Sequence, residues 1–184
     1  MNDLFAVVKS YLLEDGWPIV HEIPGEVLQT AFRSTEAEWD AQDGPGGFPR
    51  TGSPAARMPV PTGSLREQHW TCYAQVRPEH NQVLFYSVVP FAVPPGRRLP
   101  AAEYITRANF GMAMGNFEMD FENGAVRFKT GIDVTGDELT PALLSPLLYA
   151  NVLMMSTYLE GLLDVAEGDV APMDAIAAAH SQAT

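Results

Sequence analysis

The sequence predicts an α+β chain whose elements run α-β-β-β-β-α-β-β-α. Three observations carry that reading. His69–Val76 alternates apolar and polar residues with the period of a strand. Asn116–Lys129 does the same on either side of Asn123-Gly124, a two-residue hairpin turn. At both ends of the chain, apolar residues recur at helical spacing.

Asn2–Leu13 reads as the first helix, with Leu4, Phe5, Val8, Tyr11 and Leu12 on one face and Asp15-Gly16 as its stop. Trp17–Ile23 and Val27–Arg33 read as two short strands joined at Pro24-Gly25. Residues 35–65 hold five Gly and five Pro with little periodicity, a density that breaks helix and strand alike. They read as a long surface loop inserted between two strands. If that loop docks a partner, Trp39, Phe48 and Pro59–Pro61 are its candidate contacts.

In His69–Val76, the residues Trp70, Cys72, Ala74 and Val76 share one face, so Cys72 reads as a small buried hydrophobe, inert as a thiol. Pro78–Asn81 is a turn. Val83–Val89 is apolar on both faces, the pattern of a central strand covered on both sides, and Pro94-Pro95-Gly96 ends it. Pro100 marks the start of a helix over Ala101–Met114, closed by Gly115.

In the hairpin that follows, a two-residue turn at Asn123-Gly124 makes paired residue numbers sum to 247. Asp120 then faces Arg127 and Glu118 faces Lys129, while Phe121 meets Val126 and Met119 meets Phe128. Gly136-Asp137-Glu138 leads into the longest helix, Thr140–Leu163, with Pro141 in its first turn and Pro146 near its start or at a kink. Its apolar residues spread over an arc of about 200°, where one face against one sheet needs about 100°. The helix must therefore bury two surfaces. Asn151 falls inside that arc and needs a polar partner. The tail carries a short helix at Met173–Ala179 and frays after about residue 178.

At 184 residues the chain fits a single domain, and 46% hydrophobic with 18% charged residues is a globular composition. Eleven basic against 23 acidic residues give a net charge of −12, which argues against nucleic acid. The single cysteine fits a reducing compartment. The start lacks a basic segment before its apolar stretch, and Lys9 splits that stretch, so no signal peptide is expected. Leu139–Leu159 is free of charge. It nevertheless contains two prolines and several polar residues between acidic flanks, which reads as a buried helix and not a membrane span. The expectation is a cytoplasmic protein with no membrane contact.

No catalytic, metal or cofactor residue emerges. The four histidines lack ligand spacing, and His69 and Cys72 point to opposite faces of one strand. Nucleophile-elbow, phosphate-loop and zinc-protease motifs are absent from the sequence. The carboxylate pairs Glu14-Asp15 and Asp137-Glu138 sit at element ends, where caps explain them. Charge is unevenly placed. All 11 basic residues lie between Lys9 and Lys129, and residues 130–184 hold eight acids with no Lys or Arg. An acidic surface beside an apolar seam suits a basic, amphipathic protein segment. Five of the eight methionines (112, 114, 119, 154, 155) fall in the last three elements, where they serve as core filler or as an adaptable groove.

Several stretches, in order, resemble one family. They are Trp70–Gln75, Phe85–Ser87, Thr106–Gly111, Gly115–Gly124, Phe128–Val134 and Tyr149–Met155, and the sequence over them is similar to the YbjN family of bacterial proteins. The likeness spans residues 1–34 and about 67–178, and 35–65 departs from it. The resemblance implies a twisted antiparallel sheet with helices packed against it, like type III secretion chaperones, which are small, acidic and usually dimeric. It implies no catalytic residue.

The function expected is a non-enzymatic, chaperone-like protein-binding or regulatory module that forms a homodimer and engages an unidentified protein partner. Leu144, Leu148, Asn151, Met154, Met155, Tyr158 and Leu159 are the interface candidates. The alternative is a small-molecule sensor or minor enzyme with a pocket between the 101–115 helix and the sheet. In a third option, the 35–65 loop carries the function on a structural scaffold.

Overall fold

A computed structural model describes residues 3–34 and 68–182, so the 35–65 loop with Trp39, Phe48 and Pro59–Pro61 lies outside the described residues. Asp3 starts the first helix, α1 (Leu4–Glu14), its carboxylate accepting from the amides of Phe5 at 3.0 Å and Ala6 at 3.3 Å. Leu4, Val8, Tyr11 and Leu12 are its buried face.

Strands β1 (Ile19–Ile23), β2 (Val27–Ser34), β3 (Gln68–Arg77) and β4 (Gln82–Ala92) follow, and β5 (Asn116–Met119) and β6 (Ala125–Asp133) come later in the chain. They form one antiparallel sheet in the order β1-β2-β3-β4-β6-β5. The helices α2 (Arg98–Asn109), α3 (Pro141–Glu167) and α4 (Pro172–Gln182) complete an α+β fold in the element order read from the sequence, and α4 stays helical to Gln182 where the tail was expected to fray after about residue 178.

One sheet face lies under the helices. Trp70, Cys72, Ala74 and Val76 of β3 are buried there, as their alternation predicts. Under α1, Trp17 packs on Phe32 and Phe85, and Phe32 stacks on Trp70 at 4.7 Å between ring centroids. On the opposite face, no described helix packs, which differs from the expectation of a β4 covered on both sides. In β4, Val83, Phe85, Ser87 and Val89 are buried, while Leu84, Tyr86 and Val88 are only half-buried. An antiparallel sheet needs cover on one face only, so apolar residues on both faces of β4 do not imply two covering layers.

Two boundaries differ from the sequence reading for identifiable reasons. α2 begins at Arg98 and stops at Asn109, and does not span Ala101–Met114. Pro100 is accommodated in its first turn, Phe110 is extended, and Gly111 turns away at φ +95°. Gly115 opens β5 instead of closing the helix, and a Cβ there would lie 2.7 Å from the Lys129 carbonyl.

The β5–β6 register also shifts by two. Asn116 pairs Lys129, Phe117 pairs Phe128, Glu118 pairs Arg127 and Met119 pairs Val126, so the numbers sum to 245 and not 247. The turn is longer because Asp120 caps it. Its Oδ1 accepts from the Glu122 amide and its Oδ2 from Asn123 Nδ2, both at 2.7 Å. Gly124, at φ +79°, presses on the exit of β4, where its carbonyl accepts from the Val93 amide at 2.8 Å. A shift of two preserves parity, so the paired side chains keep their faces, while Phe121, expected to meet Val126, lies in the turn and is exposed.

α3 is four residues longer than expected at its C-terminal end, and Gly168 caps it at φ +93°. Arg97 donates from Nε and Nη2 to the Val165 carbonyl at 3.0 and 2.8 Å, placing a cation on that helix end. α3 is long and apolar enough to span a membrane by length and composition, yet more than half of its most apolar window is buried in this fold. The second surface that its wide apolar arc demands is supplied within the chain by α2 and α4, with Ala175 and Ala179 of α4 buried at the contact.

Candidate interaction surfaces

The structure places six of the seven residues expected at an interface inside the monomer. Leu144, Leu148, Asn151 and Met155 are fully buried, and Tyr158 and Leu159 are 7% and 6% exposed. Met154 is half-buried. The polar member has a clear task. Asn151 Nδ2 donates to the Phe85 carbonyl at 3.0 Å, the Phe128 carbonyl at 3.4 Å and Thr130 Oγ1 at 3.1 Å. Thr130 Oγ1 in turn donates to the Leu147 carbonyl at 3.1 Å. Asn151 therefore fixes α3 on β4 and β6 at one register.

Tyr158 is held at the far end. Its ring meets Tyr104, Phe117 and His180 edge-on, and its carbonyl accepts from the Tyr104 hydroxyl at 2.9 Å. Burial pushes the Tyr104 phenol well above its usual range. These side chains fill the space between α2, α3 and β5, where the alternative reading sought a pocket. Two depressions formed by described residues lie elsewhere. One, of about 480 Å³, borders Pro18, Trp70 and Pro90, and the other, of about 520 Å³, borders Val88, Glu118 and Arg127.

Two polar groups that could carry chemistry are tied down. Burial raises the Cys72 thiol to about 12, so it stays protonated and inert at neutral pH. The Asp15 carboxylate accepts from the Tyr11 hydroxyl at 3.2 Å, Trp17 Nε1 at 3.0 Å and the Tyr149 hydroxyl at 3.2 Å, which ties α1 to α3. Burial, ahead of any effect of Asp15, lifts the Tyr11 phenol to about 12. Among the described residues, no three His, Cys, Asp or Glu side chains come together in a way that could hold a metal.

What remains outward on α3 is a stripe of Leu143, Pro146, Ala150, Leu153, Met154 and Thr157, exposed or half-buried. At 100° per residue it spans about 100° and carries no charge. Towards the C-terminus it runs into Glu160, Asp164 and Glu167. From Asp137 onward the chain has seven acids and no Lys or Arg.

The second surface is the sheet's open face. Tyr73 and Tyr86 pair across β3 and β4, and the row continues into Lys129 of β6. Arg127 sits over the Tyr86 ring at 4.4 Å and donates to Glu118 at 2.8 Å, and Lys129 also pairs with Glu118. Burial alone would raise the Glu118 carboxyl. The hydrogen bonds from Lys129 and Arg127 outweigh it and hold the carboxyl below its usual range. Reading β4 as covered on both sides concealed this face. The signal was already present in the polar side of β3, where Thr71, Tyr73 and Gln75 alternate with buried residues.

Residues 64–164 match the family model of YbjN, "Putative bacterial sensory transduction regulator". The crystal structure of YbjN, a putative transcription regulator from E. coli, is similar at 13% identity and a TM-score of 0.47, covering 89% of this chain and 90% of that one. No curated protein matches the sequence.

Proposed function

We propose that this chain, which belongs to the YbjN family of bacterial regulators, is a non-enzymatic regulator that works by holding a protein partner. Its contact surface is the outward stripe of α3 with the acids that follow it. The carrying observation is the segregation of charge. The uncharged stripe from Leu143 to Thr157 leads into Glu160, Asp164 and Glu167, and no Lys or Arg follows residue 129. A basic amphipathic segment matches both parts, apolar residues on the stripe and cations on the carboxylates. Six of the seven residues first assigned to an interface are consumed by the core, and Met154 is the one that reaches this stripe.

The test is affinity capture from the source organism's soluble extract with the unmodified chain and with Met154→Glu, at low and moderate salt. The captured protein is then rebuilt with the chain from purified components. The reading expects a stoichiometric partner lost on substitution and weakened as salt rises. A partner that survives both changes puts the contact elsewhere. If neither condition yields a stoichiometric partner, the reading falls.

A further inference from the structure

We propose that the open face of the sheet is where a second copy of this chain docks, sheet against sheet. This goes beyond the partner reading and does not rest on it, because it concerns the opposite side of the molecule.

Three routes to self-association are closed in this fold. The buried part of the apolar arc of α3 is spent on the sheet, α2 and α4, and its outward stripe runs into Glu160, Asp164 and Glu167, where two copies would repel. The β5 edge is closed because the Asn109 side chain already occupies both the amide and the carbonyl of Phe117. The β1 edge is five residues long, lies between Pro18 and Pro24, and is bulged between Ile19 and His21, all of which blunt strand addition.

The open face is built differently. Its centre is Thr71, Tyr73, Leu84, Tyr86 and Val88, half-buried and uncharged. Leu84 lies across Gly131, where a Cβ would come within 2.6 Å of the Leu84 side chain, so the surface between β4 and β6 is flat. Among the described strand side chains on this face, Arg77, Arg127 and Lys129 stand against Glu118 and Asp133. The face is therefore near neutral on a chain of net charge −12. Two such chains repel through their acidic surfaces, and this is a described surface on which they can meet without that penalty. Arg127 and Lys129 are paired with Glu118 within each copy, so two such faces can meet without burying a lone charge there.

Its extent fits as well. Six strands about 4.8 Å apart, with a mean length near eight residues at about 3.3 Å each, give about 29 by 26 Å. That is close to the ~800 Å² per partner of a standard interface. Single-stranded nucleic acid is the weaker occupant. Arg127 covers the Tyr86 ring and Glu118 engages both β6 cations, so Tyr86 offers no free stacking face and β6 no free positive charge.

The chain contains two lysines, Lys9 on α1 and Lys129 on β6, which makes the test direct. Lys129 sits one strand from the centre of the face, and a link between two Lys129 residues can only join two copies. An amine cross-linker applied to the unmodified chain at tens of micromolar is expected to trap a species of about twice 20.1 kDa joined Lys129 to Lys129. Thr71→Glu and Leu84→Glu should each give monomers with native circular dichroism, and Leu143→Glu on α3 should leave the dimer intact. A monomer throughout, a dimer joined chiefly through Lys9, or a dimer that survives both sheet substitutions in folded protein overturns the proposal. So does a labelled single-stranded oligonucleotide that binds and is released by Thr71→Glu. Should the sheet variants not fold, the cross-link on the unmodified chain decides alone.

Discussion

The Asn109 amide grips Phe117 at both ends: its Oδ1 accepts from the Phe117 amide at 2.7 Å and its Nδ2 donates to the Phe117 carbonyl at 3.1 Å. A side chain here replaces a neighbouring strand. The same contact ends α2 and seals β5, so one residue sets a helix boundary and a sheet edge together. Asn109→Ala leaves the Phe117 amide without its partner at a partly buried position. We expect a loss of about 1–3 kcal/mol. For a chain of this size that lowers Tm by roughly 2–4 °C per kcal/mol. Asn109→Asp keeps the acceptor and loses the donor, so it should fall between the two in a thermal melt. An alanine variant as stable as the parent would show that the grip adds nothing.

Asn151 performs the corresponding task beneath α3, where its Nδ2 faces the carbonyls of Phe85 and Phe128 and the hydroxyl of Thr130. Asn151→Asp turns a donor into a carboxylate aimed at acceptors in a fully buried site. The expected loss at neutral pH is about 3 kcal/mol or more. Burial holds an introduced carboxyl protonated, so its folded pKa lies above its unfolded one. The variant should therefore be least impaired in acid and lose stability as pH rises. Chemical denaturation at pH 5 and pH 8 reads the difference, and a deficit independent of pH would place the side chain in water.

Much of this fold was legible in the sequence because burial leaves a periodic trace. The alternation of β3 and the helical spacing of α1 gave both elements and their inward faces. The β5–β6 register was legible only in parity. Face follows from alternation, whereas register depends on the turn, and the Asp120 cap and the Gly124 contact with Val93 become visible only in space. For the interface candidates the trace is ambiguous in another way. A wide apolar arc shows that a helix buries two surfaces without showing whose surface covers the second, and here α2 and α4 of the same chain do so.

The Glu118 carboxylate, engaged by Arg127 and Lys129, links the open face to pH. Its pKa lies below the ordinary 4.5, so its contribution is complete above that value and is lost as pH falls through the folded one. The group is partly exposed, and exposed pairs contribute about 0.2–1 kcal/mol. Glu118→Gln should leave stability at pH 7 lower by no more than that, and should flatten the decline as pH falls below about 4.5. Parallel curves for parent and variant across that window would show that the pairs do not stabilise the fold.

Gly111 and Gly124 separate backbone strain from crowding. Both have positive φ, at +95° and +79°, where a side chain is strained. A Cβ on Gly111 meets nothing within 4 Å, while one on Gly124 falls 2.1 Å from the Val93 carbonyl oxygen. Gly111→Ala should therefore cost only the conformational term, about 1–2 kcal/mol. Gly124→Ala adds a clash with backbone that cannot rotate away, and relief requires the turn to leave Val93 and break the bond from the Val93 amide. We expect its loss to exceed that of Gly111→Ala by at least the ~1 kcal/mol of that hydrogen bond. The shifted β5–β6 register depends on the same contact, so amide exchange in Ala125–Phe128 should accelerate in the Gly124 variant alone. Equal losses in the two variants would mean that the turn is free to move off β4, and that the register is held by the Asp120 cap without it.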